Sequence, residues 1–325
     1  MKRQFFVFAL VLAAFALLLP FTSAATTAAD VTLSPGYTLS QPPALLLSTA
    51  APEAVFPAWT AQLLDSNRTI VGSTAAIPPV CVATPRIMPL GNSITYGTYG
   101  NGYNGGQGDQ RPPAQVTGYR QPLYLLLQAA GRSVNFVGSL QAGQQATPGF
   151  DPNHEGHSGQ TAGYIADHVF NWLNNNPAEV VLLHIGTNNI SSPDFSVAST
   201  VGEVARILDE IDRHSKNTIV ILALIVNRSC SAGNTNCQTK AAATTSFNNA
   251  LKSVAQARIA AGDRIVIVDM EKGSGINYKL TPQGDMADEL HPYKTGYEKM
   301  AAVWLNALKP LLPTDCTYLP LIQNK

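Results

Sequence analysis

Apolar runs of strand length alternate along this chain with stretches of helical periodicity, and that alternation leaves few folds open. The strand-like runs are Arg86–Leu90, Val134–Gly138, Val180–Ile185, Thr218–Val226 and Arg264–Asp269. Helical patterns lie between them at Arg120–Ala130, Ala162–Asn174, Val197–His214 and Lys240–Ala261, and a last helix is expected over Tyr293–Leu308. Strand–helix–strand units close through right-handed crossovers into a parallel sheet. The strand runs are almost continuously apolar, as strands covered on both faces must be. The expected fold is therefore α/β, a doubly wound five-stranded parallel sheet with helices on both faces. Ligands of such sheets bind outside the carboxyl ends of the strands. Gly91–Ser93, Gly138 and Gly186–Asn189 all fall at or just after strand ends.

The N-terminus reads as an export signal. Lys2 and Arg3 precede an apolar stretch from Phe5 to Leu19, and small residues follow at Thr22, Ser23 and Ala24. This is the order of a signal peptide, with cleavage after Ala24 or Ala25. A membrane anchor is the competing reading, but the stretch is short against the ~20 residues of a span. The expected location is outside the cytoplasm, with no stable membrane insertion. Residues 25–80 are rich in Ala, Thr, Ser and Pro and read as a leader or linker. Residues 81–316 are long enough for one domain, and 317–325 form a short tail.

Losing Lys2 and Arg3 with the leader leaves 19 basic side chains against 21 acidic, a formal charge of −2. With no basic block, nucleic acid is not an expected partner. Export makes the four cysteines candidates for disulfides, and four allow three pairings. The favoured set joins Cys230 to Cys237 across a short loop and Cys81 to Cys316 across the domain; buried free thiols are the alternative.

One chemistry stands out. The first strand run ends in Gly91-Asn92-Ser93, and far downstream comes Asp288-Glu289-Leu290-His291-Pro292. A serine hydroxyl is a poor nucleophile without a base in hydrogen-bond reach, and the base needs a third group to hold its ring. Ser93, His291 and Asp288 supply those three roles in that order. None of this chemistry calls for a cofactor. His154 and His157 have three-residue spacing with Gly between, unlike the helical His-Glu-x-x-His zinc pair, so no metal is expected.

These residues give the chain a family likeness. Gly91-Asn92-Ser93, the Gly of Phe136-Val137-Gly138-Ser139, Gly186-Thr187-Asn188-Asn189 and Asp288-x-x-His291 together resemble the SGNH, or GDSL-like, hydrolases. Within that family, Met88-Pro89-Leu90, Asn135–Ser139 and His154-Glu155-Gly156-His157-Ser158-Gly159 look most like carbohydrate esterase family 3, which contains secreted acetylxylan esterases. The resemblance implies a flavodoxin-like three-layer fold. It also implies an oxyanion hole built from the backbone N–H of Ser93, the backbone N–H of Gly138 and the side-chain amide of Asn188. The family often carries Asp where Asn92 and Asn189 stand; neither position belongs to the triad, and Asn keeps hydrogen-bonding capacity while losing charge.

The polar, Gly-rich segment Gly97–Gly118 follows the nucleophile, with Tyr99 and Tyr103 inside it. Tyr rings and amides suit sugar faces better than acyl tails, so Tyr99, Tyr103 and His157 are expected to line the substrate site. The expected partner is an acylated carbohydrate or another ester. Two other readings compete: a lipase-like or lysophospholipase-like esterase, which would need an apolar acyl groove, and a non-catalytic sugar-binding module on a hydrolase fold. The second has no use for Ser93, Asp288 and His291 together.

Overall fold

The computed structural model describes residues 77–100 and 109–314. The expected signal peptide, most of the linker, Tyr103, and Cys316 with its pairing to Cys81 lie outside the described residues. Among the described residues no helix is long and apolar enough to cross a membrane.

The alternation in the sequence becomes a sheet with two covered faces. The five expected strands are β1 (Arg86–Gly91), β2 (Asn135–Phe136), β5 (Val180–His184), β6 (Ile219–Leu224) and β7 (Ile265–Asp269), all parallel where they pair. Their order is β2-β1-β5-β6-β7, the flavodoxin-like arrangement with its switch point beside β1. Successive side chains in a strand point to opposite faces, and here both faces are apolar. Ile87, Val180, Leu182, Ile219, Ile221, Val266 and Val268 enter one core with Leu123, Leu126, Met300 and Trp304. Met88, Leu90, Val181, Leu183, Val220, Leu222, Ile265 and Ile267 enter the other with Val169, Ile207, Leu208, Phe247 and Leu251. Helices α2 (Arg120–Ala129) and α7 (Lys294–Leu308) cover the first face; α3 (Ala162–Asn175), α5 (Val197–His214) and α6 (Thr235–Ala260) cover the second.

The sheet is wider than five strands at one place. Strand β2 pairs only with Arg86 and Ile87, and further along the same edge of β1 its position passes to β4 (Asn153–Gly156), which pairs with Leu90 and Gly91. Strand β3 (Leu140–Gln141) adds antiparallel to β4. The expected strand Val134–Gly138 is thus cut to Asn135–Phe136, and a short antiparallel pair lengthens the sheet beside the end of β1.

Two short helices follow strand ends: α1 (Ser93–Tyr96) after β1, and α4 (Thr187–Ser191) after β5. Helix α6 begins at Thr235, five residues before the expected Lys240. Its cap explains this: the Asn234 side chain accepts from the Cys237 N–H at 3.0 Å, and a disulfide joins Cys230 to Cys237, the expected short-loop pairing.

Candidate active site

The carboxyl end of β1 delivers Ser93. Gly91 is the last strand residue, and a Cβ there would lie 2.3 Å from the His184 carbonyl and 2.5 Å from Thr95 Oγ1. Only glycine lets the strand turn so tightly against β5. Asn92 then caps α1, its Oδ1 accepting the Ile94 N–H at 3.1 Å. Ser93 is the first residue of the helix, where backbone N–H groups have no intrahelical partner.

Asp288 and His291 share one loop before α7. The Ala287 N–H donates to the His291 carbonyl at 2.8 Å, and the Tyr293 N–H to the Asp285 carbonyl at 2.6 Å, which closes the loop on itself. The Asp288 Oδ1 accepts the backbone N–H groups of Leu290 and His291, both at 2.7 Å. Its carboxylate also meets His291 Nδ1, at 2.9 Å from Oδ2 and 3.0 Å from Oδ1. On the other side of the ring, His291 Nε2 lies 2.9 Å from Ser93 Oγ. Hydroxyl, imidazole and carboxylate therefore form one continuous line. Both His291 and Asp288 are buried. Burial pushes the Asp288 carboxyl up, but the hydrogen bond and electrostatic pull of His291 and the two backbone N–H groups outweigh that and hold it below its ordinary value.

Asn188 sits in α4, and one hydrogen of its amide goes to the Gln160 carbonyl at 2.8 Å. Gly138 packs so closely on β4 that a Cβ would lie 2.3 Å from the His154 carbonyl. The next peptide is fixed too, because the Ser139 N–H donates to the fully buried carboxylate of Glu155. The other Glu155 oxygen holds His157 Nε2 at 2.7 Å. His154 Nδ1 accepts the Gly156 N–H at 2.9 Å, and burial keeps this imidazole well below its ordinary pKa and so neutral.

Asn189 lies behind this site. Its Oδ1 accepts the Ala162 N–H at 2.9 Å at the start of α3, and its Nδ2 donates to Glu203 Oε2 at 2.7 Å. A carboxylate at 189 would face another carboxylate.

The described ends of the segment after Ser93 are tied together. Asp109 accepts from the Tyr99 N–H at 2.9 Å and from Arg111, whose guanidinium also reaches the Gly97 carbonyl at 2.8 Å. The same guanidinium lies over the Tyr99 ring, 3.4 Å from its centroid, and Tyr293 packs against that ring at 4.9 Å. Tyr99 is thus held by protein neighbours and lines a separate cavity of about 170 Å³ with Gln121, Lys294 and Glu298. His157, the other expected substrate-lining residue within the described region, is tied to the Ser93 turn through its backbone N–H, which donates to the Gly91 carbonyl at 2.9 Å.

Sequence reasoning missed three positioning groups. Arg120 is fully buried and donates to the carbonyls of Thr95, Tyr96, Val116, Ala142 and Pro152. It ties α1 to the loops on either side, and burial lowers its pKa to about 10. Arg228 bonds Glu289 at 3.2 Å, the Thr187 carbonyl at 3.4 Å and Ser191 Oγ at 2.9 Å, joining the His291 loop to the helix that carries Asn188. Gln160 acts through its backbone carbonyl. None of these partners leaves a residue-type signature.

With that geometry in place, the likeness to known proteins is decided by extent. Residues 90–299 match the GDSL-like Lipase/Acylhydrolase family. The chain belongs to this family. It is 28% identical over 253 residues to a multidomain esterase of Ruminococcus flavefaciens, a match covering 70% of this chain and 29% of that protein. Its fold superposes on a family 3 carbohydrate esterase of Clostridium thermocellum with a TM-score of 0.52 and 27% identity, covering 71% of this chain and all of the other. A serine-to-alanine variant of an acetyl esterase, solved with an acetate ion, gives a TM-score of 0.54 and 25% identity, covering 69% of this chain and 96% of that one.

Proposed function

We propose that this GDSL-like hydrolase is an exported serine esterase that removes acetyl groups from an acetylated carbohydrate such as xylan. The observation that carries the reading is the line from Ser93 Oγ through His291 to Asp288. Ser93 attacks the ester carbonyl while His291 Nε2 takes its proton. Asp288 stays ionised and balances the imidazolium. The tetrahedral oxyanion is met by the N–H groups of Ser93 and Gly138 and by the free amide hydrogen of Asn188. Collapse expels the sugar alcohol, which receives the proton from His291. Water then repeats the sequence and releases acetate.

The acetyl and carbohydrate parts rest on the likeness to a family 3 carbohydrate esterase and to an acetyl esterase, and on the polar, Gly-rich composition of Gly97–Gly118. A competing lipid-esterase reading makes an opposite forecast. Each methylene buried in an apolar groove adds ~0.8 kcal/mol, so octanoate esters would outrun acetates. The experiment compares acetate release from acetylated xylan with turnover of aryl acetate, butyrate and octanoate. The expected result is acetate release, with aryl activity falling beyond butyrate. Faster octanoate turnover with no acetate from xylan would overturn it. Export rests on the leader pattern of Lys2, Arg3 and Phe5–Leu19. N-terminal sequencing of protein from the culture fluid should begin at Ala25 or Thr26.

A further inference from the structure

A cavity of about 280 Å³ is bounded by residues of β3, β4 and the segment after β4, among them Leu140, Gln141, His157, Ser158 and Gln160, together with Tyr96. Its walls belong to the catalytic frame. Tyr96 ends the one-turn helix that Ser93 begins. Gly156, also in the wall, pairs with Gly91. Gln160 holds the Asn188 amide. Among the described residues the lining carries one aliphatic side chain, no Lys, Arg, Asp or Glu, and several amide, hydroxyl and imidazole groups. That surface fits a neutral, hydroxylated ring and offers little to an acyl tail or an anion.

His157 is prepared for such a ligand. The buried Glu155 carboxylate accepts a hydrogen bond from Nε2–H, and with Nε2 as donor the other ring nitrogen, Nδ1, is the acceptor. The imidazole is backed by Trp172, with ring centroids 4.2 Å apart and planes 10° apart. Fixed tautomer and fixed plane mean that little rotamer freedom is lost when a hydroxyl binds. Because Glu155 also holds the Ser139 N–H beside Gly138, the group that meets the ring and the loop of the oxyanion site share one carboxylate.

We propose that this cavity is the subsite for the neutral pyranose whose hydroxyl carries the acyl group, with His157 Nδ1 accepting from a neighbouring ring hydroxyl. The proposal rests on the esterase reading and names where its leaving group sits. The test uses His157→Gln, which keeps a donor for Glu155, and Leu140→Trp, which fills the cavity from its rim. Substrates are monoacetylated methyl β-xylopyranoside and phenyl acetate, and unacetylated methyl β-xylopyranoside serves as inhibitor.

In both variants kcat/KM should fall about ten-fold further for the sugar ester than for phenyl acetate, the scale of one hydrogen bond. The inhibition constant of the unacetylated sugar should rise in parallel. Equal losses on both esters, or unchanged inhibition by the sugar, would overturn the subsite and leave the esterase reading standing. If the wild-type protein cleaved neither ester, the esterase reading would fall. Titration of methyl β-xylopyranoside by NMR into wild type and the two variants would then decide the cavity alone, because binding weakened in both variants supports it and equal binding rejects it.

Discussion

The Asn188 amide gives one hydrogen to the Gln160 carbonyl at 2.8 Å, so the second hydrogen has a fixed direction before any substrate arrives. A preorganised donor costs no reorganisation when charge develops. Asn188→Ala should lower kcat by ~10²–10³, the range for loss of one oxyanion donor. KM should change much less, because the donor acts on charge absent from the bound ester. Steady-state kinetics on an aryl acetate measure both constants. A variant that lost only affinity would mean that Asn188 positions the substrate instead.

Ser93→Ala should abolish turnover while leaving thermal unfolding close to that of the parent, since the hydroxyl's bond is to a catalytic ring and not to the core. A fluorophosphonate probe should label Ser93 in the parent protein. Labelling at a different serine would reject the nucleophile.

Asp288→Asn keeps shape and changes a donor count. The Asp288 Oδ1 already accepts two backbone N–H groups, so the new amide nitrogen must take the Oδ2 place beside His291 Nδ1. Two donors cannot face each other, and the ring is forced to carry its proton on Nε2, against Ser93. The base is then lost, and kcat should fall by roughly 10³–10⁴. An enzyme within a few-fold of the parent would show that Ser93 and His291 work as a dyad.

The grouping of Ser93, His291 and Asp288 was legible because acyl transfer would restrict the residue types and because Ser93 and His291 sit in short, recognisable strings. The five main strands were legible because both of their faces are apolar. Strand β4 was not: Asn153, His154, Glu155 and Gly156 show no apolar alternation, and their burial is satisfied by hydrogen bonds such as Glu155 to His157. Helix α1 was hidden by its length of four residues. The loop tyrosine, Tyr99, was read as a sugar platform on residue type, whereas its environment is set by Arg111, a neighbour twelve positions away whose role only the fold reveals. Arg120 was invisible for a related reason, since its partners are backbone carbonyls that any sequence would supply.

The contact between Asn189 and Glu203 yields a test of why an amide suits position 189. Asn189→Asp replaces a donated hydrogen bond at 2.7 Å with two facing oxygens in a partly buried site. Loss of such a bond with a charged partner costs about 1.5–3 kcal/mol. The melting temperature should drop at neutral pH, and adding Glu203→Gln should restore much of it by returning a donor to the pair. A single variant as stable as the parent would show that the pair tolerates two carboxyl groups.

Acid should weaken this protein before its ordinary carboxylates titrate. His184 is fully buried at the end of β5, its Nε2 accepting the Val226 N–H at 3.2 Å, and burial lowers its pKa from 6.5 to about 4. His154 is lowered by burial as well. In the unfolded chain both rings regain their ordinary affinity for protons, so between pH 6.5 and 4 the unfolded state binds more protons than the folded one. Stability is therefore full above pH 6.5, falls as the pH drops through that window, and levels off for His184 below pH 4. The His184 contribution is of order 3 kcal/mol at the bottom of the window. Urea unfolding of the parent and of His184→Gln, which keeps an acceptor for the Val226 N–H, should be compared at pH 7.5 and 4.5. The variant should start less stable but lose distinctly less on acidification. Equal losses in the two proteins would show that His184 is not the group whose protonation unfolds the chain.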